Sequence, residues 1–149
     1  MDIGNTVDNF TATTDRGETV RLTDLLANGP IVLFFYPKAF TAGCTAEACH
    51  FRDLATEFTD VGATRVGISG DDMETQRRFA QEHEFDFPLL ADPDGRIATL
   101  FGTKRMGPLP PRRHTFVIDT DATLLTAIRS ERDMQAHADD ALTVLRGRA

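Results

Sequence analysis

The feature that most constrains the fold of this chain is an apolar run, Ile31 to Tyr36, which stops at Pro37. A strand with one solvent-facing side alternates apolar and polar residues, whereas this run is apolar on both sides. Proline ends such a strand because it has no N–H to donate to a neighbouring strand. The run therefore predicts a central strand of a sheet that helices cover on both faces.

The rest of the chain alternates between strand and helix patterns around this strand. Segments rich in Thr and Val flank the turn residues 15–17 and predict an N-terminal β-hairpin within residues 10–22. Apolar residues at helical spacing predict a helix from Cys44 until Gly62. The other predicted strands are 64–69, 87–90, 114–119 and 123–129, and the other predicted helices are 73–83, 97–101 and 135–145. This order predicts an α/β fold with a mixed central sheet, in a single domain spanning residues 1–149.

Charge and hydropathy exclude several kinds of partner. The formal net charge is -7, whereas nucleic-acid binding relies on basic patches that neutralise phosphates. The longest apolar run is far shorter than the roughly 20 residues of a membrane-spanning helix. The N-terminus also lacks a basic start followed by an apolar stretch. We therefore expect no nucleic-acid partner, no membrane association and a cytoplasmic location.

The chain contains two cysteines, Cys44 and Cys49. In a reducing compartment, a cysteine pair is more often catalytic, redox-active or metal-binding than a structural disulfide. Cys44 follows the predicted buried strand and lies in the first turn of a predicted helix, where free backbone N–H groups favour a thiolate. Its position alone fits a small buried apolar residue equally well.

The residues that precede Cys44 separate these two interpretations. Pro37, Thr41 and Cys44 match P-x-x-x-T-x-x-C, and this stretch resembles the active-site signature of the peroxiredoxins. The residues that follow are similar to the bacterioferritin comigratory protein (PrxQ) subfamily, through Gly43, Cys44, Thr45, Glu47, Ala48 and Cys49. The likeness covers nearly the whole chain, including residues 87–92 and 113–119. It implies a thioredoxin-like fold.

The resemblance also implies an activity, a thiol-dependent peroxidase acting on hydrogen peroxide and organic hydroperoxides. Cys44 would be the peroxidatic nucleophile that becomes a sulfenic acid, and Cys49 the resolving thiol that forms an intramolecular disulfide with it. Thioredoxin or a similar dithiol reductant would then regenerate both thiols. The resemblance implies no cofactor and no metal, and a monomeric protein.

Peroxide reduction also needs groups that hold both oxygens and stabilise the departing hydroxide or alkoxide. Thr41 offers a hydroxyl that can donate or accept, and Pro37 is expected to shield the thiolate from water. In the family, an arginine precedes the strand at residues 115–119 by two positions, which selects Arg113 over its neighbour Arg112. Glu47 either orients active-site groups or is simply a favourable anion in the first helical turn.

Three other functions compete with this interpretation. A thioredoxin-type disulfide reductase needs C-x-x-C, whereas this chain has C-x-x-x-x-C. A glutathione-peroxidase-like enzyme uses an active-site tryptophan, and the chain has none. A metal-binding module on the same scaffold would use Cys44, Cys49 and His50 as ligands, and it remains the alternative function. The four histidines are expected to be solvated or structural: His50, His83, His114 and His137.

The spacing of the two cysteines predicts a conformational change. Five residues of continuous helix give about 7.5 Å of rise and about 140° of rotation, which places the two Cα atoms roughly 8.7 Å apart. Disulfides rarely span more than about 7 Å between Cα atoms. We therefore expect the helix to open locally, in the stretch before Phe51, before Cys49 can reach Cys44.

Overall fold

The computed structural model describes residues 1–148. It consists of a mixed β-sheet with helices on both faces. The strands are β1 (Thr11–Thr14), β2 (Thr19–Arg21), β3 (Ile31–Phe35), β4 (Thr64–Ser69), β5 (Leu89–Ala91), β6 (His114–Ile118) and β7 (Leu124–Arg129). The helices are α1 (Leu22–Leu25), α2 (Ala42–Asp53), α3 (Ala55–Asp60), α4 (Met73–His83), α5 (Arg96–Leu100) and α6 (Ala136–Arg146), and a 3-10 turn spans Leu26–Asn28. Within residues 1–148, none of these helices is long and apolar enough to cross a membrane.

The strand order across the sheet is β2-β1-β5-β4-β3-β6-β7. Strand β3 runs parallel to β4 and antiparallel to β6, and β4 runs parallel to β5. Strands β1 and β2 pair antiparallel, with Thr11 opposite Arg21. The sheet therefore confirms the predicted mixed topology, the interior position of the apolar strand and the N-terminal hairpin.

The residues of β3 are all buried because each face of the strand meets its own apolar core. On one face, Val32 and Phe34 pack among residues of α2, α4 and α6, and the Phe34 ring stacks on Phe51 at 4.1 Å between centroids. On the other face, Leu33 and Phe35 join a second cluster with residues of the hairpin, α1 and α5. Burying a large apolar side chain stabilises the fold by about 1.5–3 kcal/mol. Two apolar faces are thus the physical reason for the uninterrupted run in the sequence.

The helix predicted from Cys44 to Gly62 is two helices, α2 and α3, so this prediction was wrong in continuity. The chain leaves helical geometry at Leu54, where φ is -96° and ψ is 24°. Arg65 donates a hydrogen bond to the Phe51 carbonyl at 2.9 Å, and that carbonyl would otherwise accept from the N–H of Ala55. The break keeps both Phe51 and Phe58 in the core, at 5.7 Å between ring centroids.

Strand β5 begins at Leu89, two residues later than predicted. Pro88 has no N–H to contribute to the sheet, although its carbonyl accepts from Gly67 N–H at 3.1 Å. The side chain of Phe87 still enters the core, where its ring meets Phe34 edge-on at 5.6 Å. The apolar pattern therefore located the buried residues correctly but not the first ladder pair.

The parallel strands bring two loops together at one edge of the sheet. The segment from Pro37 to Thr41 joins the carboxyl end of β3 to α2, and residues 70–72 follow the neighbouring strand β4. The backbone N–H of Ala39 donates to Asp71 Oδ2 at 2.8 Å, which ties the first loop to the second. Crevices at the carboxyl ends of parallel strands are common ligand sites in α/β proteins.

Candidate active site

Cys44 is the third residue of α2, and its side chain is buried. The first backbone hydrogen bond of the helix runs from Thr45 N–H to the Thr41 carbonyl at 2.9 Å. The N–H of Cys44 precedes that bond and is available to a ligand. Two further N–H groups point at the sulfur, from the Lys38 backbone at 3.5 Å and from the Arg113 guanidinium at 3.4 Å. Donors around a buried sulfur stabilise its anionic form.

Thr41 and Pro37 lie on the loop that leads to Cys44. Thr41 is exposed and occupies the N-cap position of α2, and its hydroxyl donates to the Lys38 carbonyl at 2.8 Å. Because that hydroxyl proton is engaged, the oxygen lone pairs remain to accept a hydrogen bond from a ligand. Pro37 is half-buried between β3 and the site.

Arg113 reaches the site from the residue before β6, and it is 6% exposed. Its guanidinium donates through one arm to Glu47 Oε1 at 2.7 Å and through the other to Cys44 Sγ at 3.4 Å. Its backbone N–H donates to Glu131 at 3.0 Å. Arg112, the neighbour that the sequence left as a rival, is exposed. The structure thus brings Arg113 to the sulfur.

Glu47 and Arg113 form a buried, hydrogen-bonded pair, and burial shifts the pKa values of the two groups in opposite directions. Burial lowers the pKa of Arg113, but the charges of Glu47 and Cys44 together raise it by more, so the net shift is upward. Burial raises the pKa of Glu47 from 4.5 to about 8, although Arg113 opposes this shift. The burial effect dominates at Glu47 because its carboxyl is 0% exposed. Of the two roles that the sequence left open for Glu47, its hydrogen bond to Arg113 favours the orienting one.

His137 is a further residue of the site, which sequence reasoning missed. The side chain lies on α6, and it is 0% exposed. Its Nδ1 lies 2.7 Å from Thr115 Oγ1 and 3.5 Å from Glu47 Oε2, and its Nε2 lies 2.7 Å from the Ser130 carbonyl. The sequence predicted a solvated or structural histidine here. His137 is buried, as a structural histidine would be, but its contact with Glu47 was not predicted. No local pattern marks it, because β6 and α6 meet only in the tertiary structure.

Gly43 makes room for the arginine. A Cβ atom at this position would lie 3.2 Å from Nη2 of Arg113 and 3.5 Å from the sulfur of Met134. Any larger residue would press on the guanidinium that contacts Cys44. A glycine beside Cys44 in the first turn of a helix was the available sequence signal, since glycine weakens helices and usually has a steric reason there.

Cys49 lies on the same continuous helix as Cys44, and both are free thiols. It is half-buried against the core that holds Phe34, and burial raises the pKa of its thiol. His50 beside it pairs with Asp139 through Nε2 at 2.8 Å. Among residues 1–148, no group of three or more His, Cys, Asp or Glu side chains is placed to hold a metal ion. The three ligands of the metal-binding alternative, Cys44, Cys49 and His50, are therefore not grouped around a common point.

A cavity of about 390 Å³ opens beside the site at the carboxyl edge of the sheet. Pro37 and Lys38 form one wall, and the proline-rich loop at residues 107–111 forms another. Leu109 on this loop is 54% exposed. The cavity therefore lies next to the loop that leads to Cys44, but Cys44, Thr41 and Arg113 are not among its lining residues.

Comparison with known proteins identifies the family. The family model described as AhpC/TSA matches residues 3–127. The chain is 35% identical over 155 aligned residues to Peroxiredoxin Bcp of Bacillus subtilis, covering 98% of this chain and 96% of that protein. The chain belongs to the AhpC/TSA family. It is therefore a peroxiredoxin, an enzyme that acts as a thiol peroxidase, as its signature implied.

Solved structures confirm the thioredoxin-like fold of this peroxiredoxin. The crystal structure of the peroxidoxin BcpB from Mycobacterium tuberculosis superposes with a TM-score of 0.97 at 52% identity, covering 100% of this chain and 99% of that one. PrxQ of Xylella fastidiosa superposes with a TM-score of 0.90 at 28% identity, covering 99% and 96%. The peroxiredoxin is thus similar to PrxQ and Bcp proteins along its whole length.

Proposed function

We propose that this peroxiredoxin reduces hydrogen peroxide and organic hydroperoxides through Cys44 as the peroxidatic nucleophile. The observation that carries the proposal is the buried Sγ at the start of α2, which faces the Lys38 N–H and the Arg113 guanidinium. These donors favour the thiolate, the form of cysteine that attacks peroxides. The unpaired N–H of Cys44 itself adds a donor for a substrate oxygen.

In the first step, the Cys44 thiolate attacks the outer oxygen of the peroxide. A sulfur–oxygen bond forms, the oxygen–oxygen bond breaks, and hydroxide or alkoxide leaves and becomes water or alcohol on protonation. Arg113 and the Cys44 N–H stabilise the charge on the departing oxygen. Thr41 accepts a hydrogen bond from the peroxide O–H, and Pro37 keeps water away from the sulfur.

In the second step, Cys49 resolves the sulfenic acid of Cys44. The Cys49 sulfur attacks the Cys44 sulfur, a disulfide forms within one chain, and the hydroxyl leaves as water. A dithiol reductant such as thioredoxin then returns both cysteines to thiols. This cycle suits a monomer in which residues 1–149 act as one domain in a reducing, cytoplasmic environment.

Mass spectrometry after one equivalent of hydrogen peroxide tests this cycle. The wild-type protein should lose two hydrogens, and digestion should recover Cys44 and Cys49 in one linked peptide pair. Cys44→Ser should show no peroxidase turnover, because a hydroxyl is far less nucleophilic than a thiolate at neutral pH. Substantial turnover by Cys44→Ser would contradict the proposal.

A further inference from the structure

Four side chains form a buried cluster at the site: Cys44, Glu47, Arg113 and His137. Cys44, Glu47 and His137 are each 0% exposed, and Arg113 is 6% exposed. The guanidinium of Arg113 is the permanent charge of this cluster, and it contacts Cys44 and Glu47 at the same time. Both of these partners can be anions, so they compete for one cation.

The charge of the cluster limits how many protons it can lose. If Cys44 and Glu47 were both ionised, one guanidinium would face two buried anions, and an uncompensated buried charge is costly. At neutral overall charge the two groups share one proton. Only the arrangement with the proton on Glu47 leaves Cys44 as the thiolate that reacts with peroxide.

The hydrogen bonds of His137 decide which of its two ring nitrogens carries the hydrogen. The Ser130 carbonyl can only accept, so Nε2 of His137, 2.7 Å away, carries the hydrogen. In the neutral ring Nδ1 then carries no hydrogen, and it accepts a hydrogen bond from the Thr115 hydroxyl at 2.7 Å. Burial lowers the pKa of His137, which keeps the ring neutral.

The unprotonated Nδ1 of His137 disfavours a carboxylate at Glu47. It lies 3.5 Å from Glu47 Oε2, and within residues 1–148 that oxygen has no hydrogen-bond donor. An ionised Oε2 would face a nitrogen that has no hydrogen to donate, so nothing would stabilise its charge. A neutral carboxyl group has no such charge to stabilise.

We propose that His137 holds Glu47 as a neutral carboxylic acid in the reduced enzyme, so that the charge of Arg113 remains available to the Cys44 thiolate. The inference rests on the proposed role of Cys44, and it makes His137 a positioning residue of the peroxidase reaction. His137 acts through Glu47 and Arg113 and does not itself touch the sulfur.

The other charged groups around the cluster are consistent with this arrangement. The carboxylate of Glu131 raises the pKa of Glu47 further, which supports the neutral acid. Glu131 and Asp133 also raise the pKa of His137, but burial outweighs them, and Arg113 lowers it. His114 on β6 has a pKa lowered chiefly by burial, so it adds little positive charge at neutral pH.

Infrared spectroscopy of the reduced protein at neutral pH tests the protonation state without requiring turnover. The wild type should show the carbonyl stretch of a protonated carboxyl group, and Glu47→Gln should lose it. Absence of such a band in the wild type would overturn the inference while leaving the proposed function intact. Turnover by Cys44→Ser would instead overturn the proposed function.

Two substitutions of His137 separate this role from simple packing. The amide of His137→Gln can donate to Glu47 Oε2, which stabilises the carboxylate and moves the proton to Cys44. His137→Phe has no such donor. Because a hydrogen bond to a charged group is strong, His137→Gln should show a thiolate absorbance and a peroxide rate constant roughly tenfold lower than those of His137→Phe. Equal losses in the two variants would show a merely structural role and overturn the inference.

His50→Gln serves as the matched control, because His50 pairs with Asp139 away from the cluster. Its thiolate absorbance should equal that of the wild type. If both His137 variants fail to fold, the infrared comparison of the wild type with Glu47→Gln still decides the question.

Discussion

The proposed reactivity of the Cys44 sulfur rests on the groups around it, and these act at the scale of single residues. Arg113 is the charged donor, held in place by Glu47 on one side and given space by Gly43 on the other. Arginine suits this position because its planar fork serves two acceptors at once and stays charged. The neighbouring Arg112 offers a natural control, since it is exposed.

Arg113→Ala should slow the reaction of Cys44 with hydrogen peroxide by about 10²–10³-fold, because it removes a donor that stabilises the departing oxygen. Stopped-flow measurement of the peroxide step checks this value. Arg112→Ala should react like the wild type. If Arg112→Ala is slow and Arg113→Ala is not, the assignment of the arginine is wrong.

Cys49→Ser should accumulate the sulfenic acid of Cys44, because no second thiol of the chain can resolve it. After one equivalent of peroxide the variant should gain one oxygen, and a sulfenic-acid probe such as dimedone should label Cys44. Cys44→Ser should not be labelled. A disulfide between two wild-type chains would indicate a dimeric mechanism instead.

The proposed resolution by Cys49 depends on the stability of helix α2, whose two ends differ. Near its carboxyl end, Arg65 donates to the Phe51 carbonyl and pairs with both carboxylate oxygens of Asp86, at 2.9 and 2.7 Å. Its guanidinium also lies 5.0 Å from the Phe87 ring centroid. The first turns contain the exposed Ala46 and the buried Ala48, and these small side chains lose less apolar burial on opening than Phe51 would.

Hydrogen exchange on the oxidised protein should show that amides from Cys44 to His50 lose protection while those of β3 keep it. The reduced protein provides the reference, because α2 is continuous there from Ala42 to Asp53. Peroxide-treated Cys49→Ser should keep more of its protection, since it forms no disulfide. A Cys44–Cys49 disulfide with α2 fully protected would contradict local opening.

At the scale of the whole molecule, the buried carboxyl of Glu47 couples folding to pH. Its pKa is raised in the folded state from 4.5 to about 8, so the folded protein binds one more proton than the unfolded chain between these values. The contribution of Glu47 to the free energy of unfolding should therefore be highest below pH 4.5 and fall as the pH rises to about 8. Burial causes this dependence, because it disfavours the charged carboxylate.

Denaturant unfolding of the wild type and Glu47→Gln across this pH range measures the effect. The stability difference between them should change by at most about 1.4 kcal/mol per pH unit, the value for one proton. Glu74→Gln, which changes an exposed carboxyl on α4, should follow the wild type. A pH-independent difference between wild type and Glu47→Gln would show that Glu47 is ionised in the folded state.

Most of the architecture could be predicted from local pattern. The apolar run became β3, and the predicted strand at 64–69 matches β4, because strand and helix periodicity depends on residues close in the chain. The helix break at Leu54 could not be predicted, since it depends on Arg65 reaching the Phe51 carbonyl from another element. Of the site, the motif provided Pro37, Thr41, Cys44 and Cys49.

By itself the sequence determined the order of elements, the family signature and the pair of candidate cysteines, all of which are patterns among neighbouring residues. The resemblance had selected Arg113 over Arg112, and the tertiary structure brings its guanidinium to Cys44. Only the tertiary structure decided that His137 faces Glu47 across the interface of α2 and α6. The physical reason is that burial and pairing between distant side chains depend on packing. The charge of the site follows from these contacts, because desolvation at Glu47 exists only once α6 and β6 have closed over it.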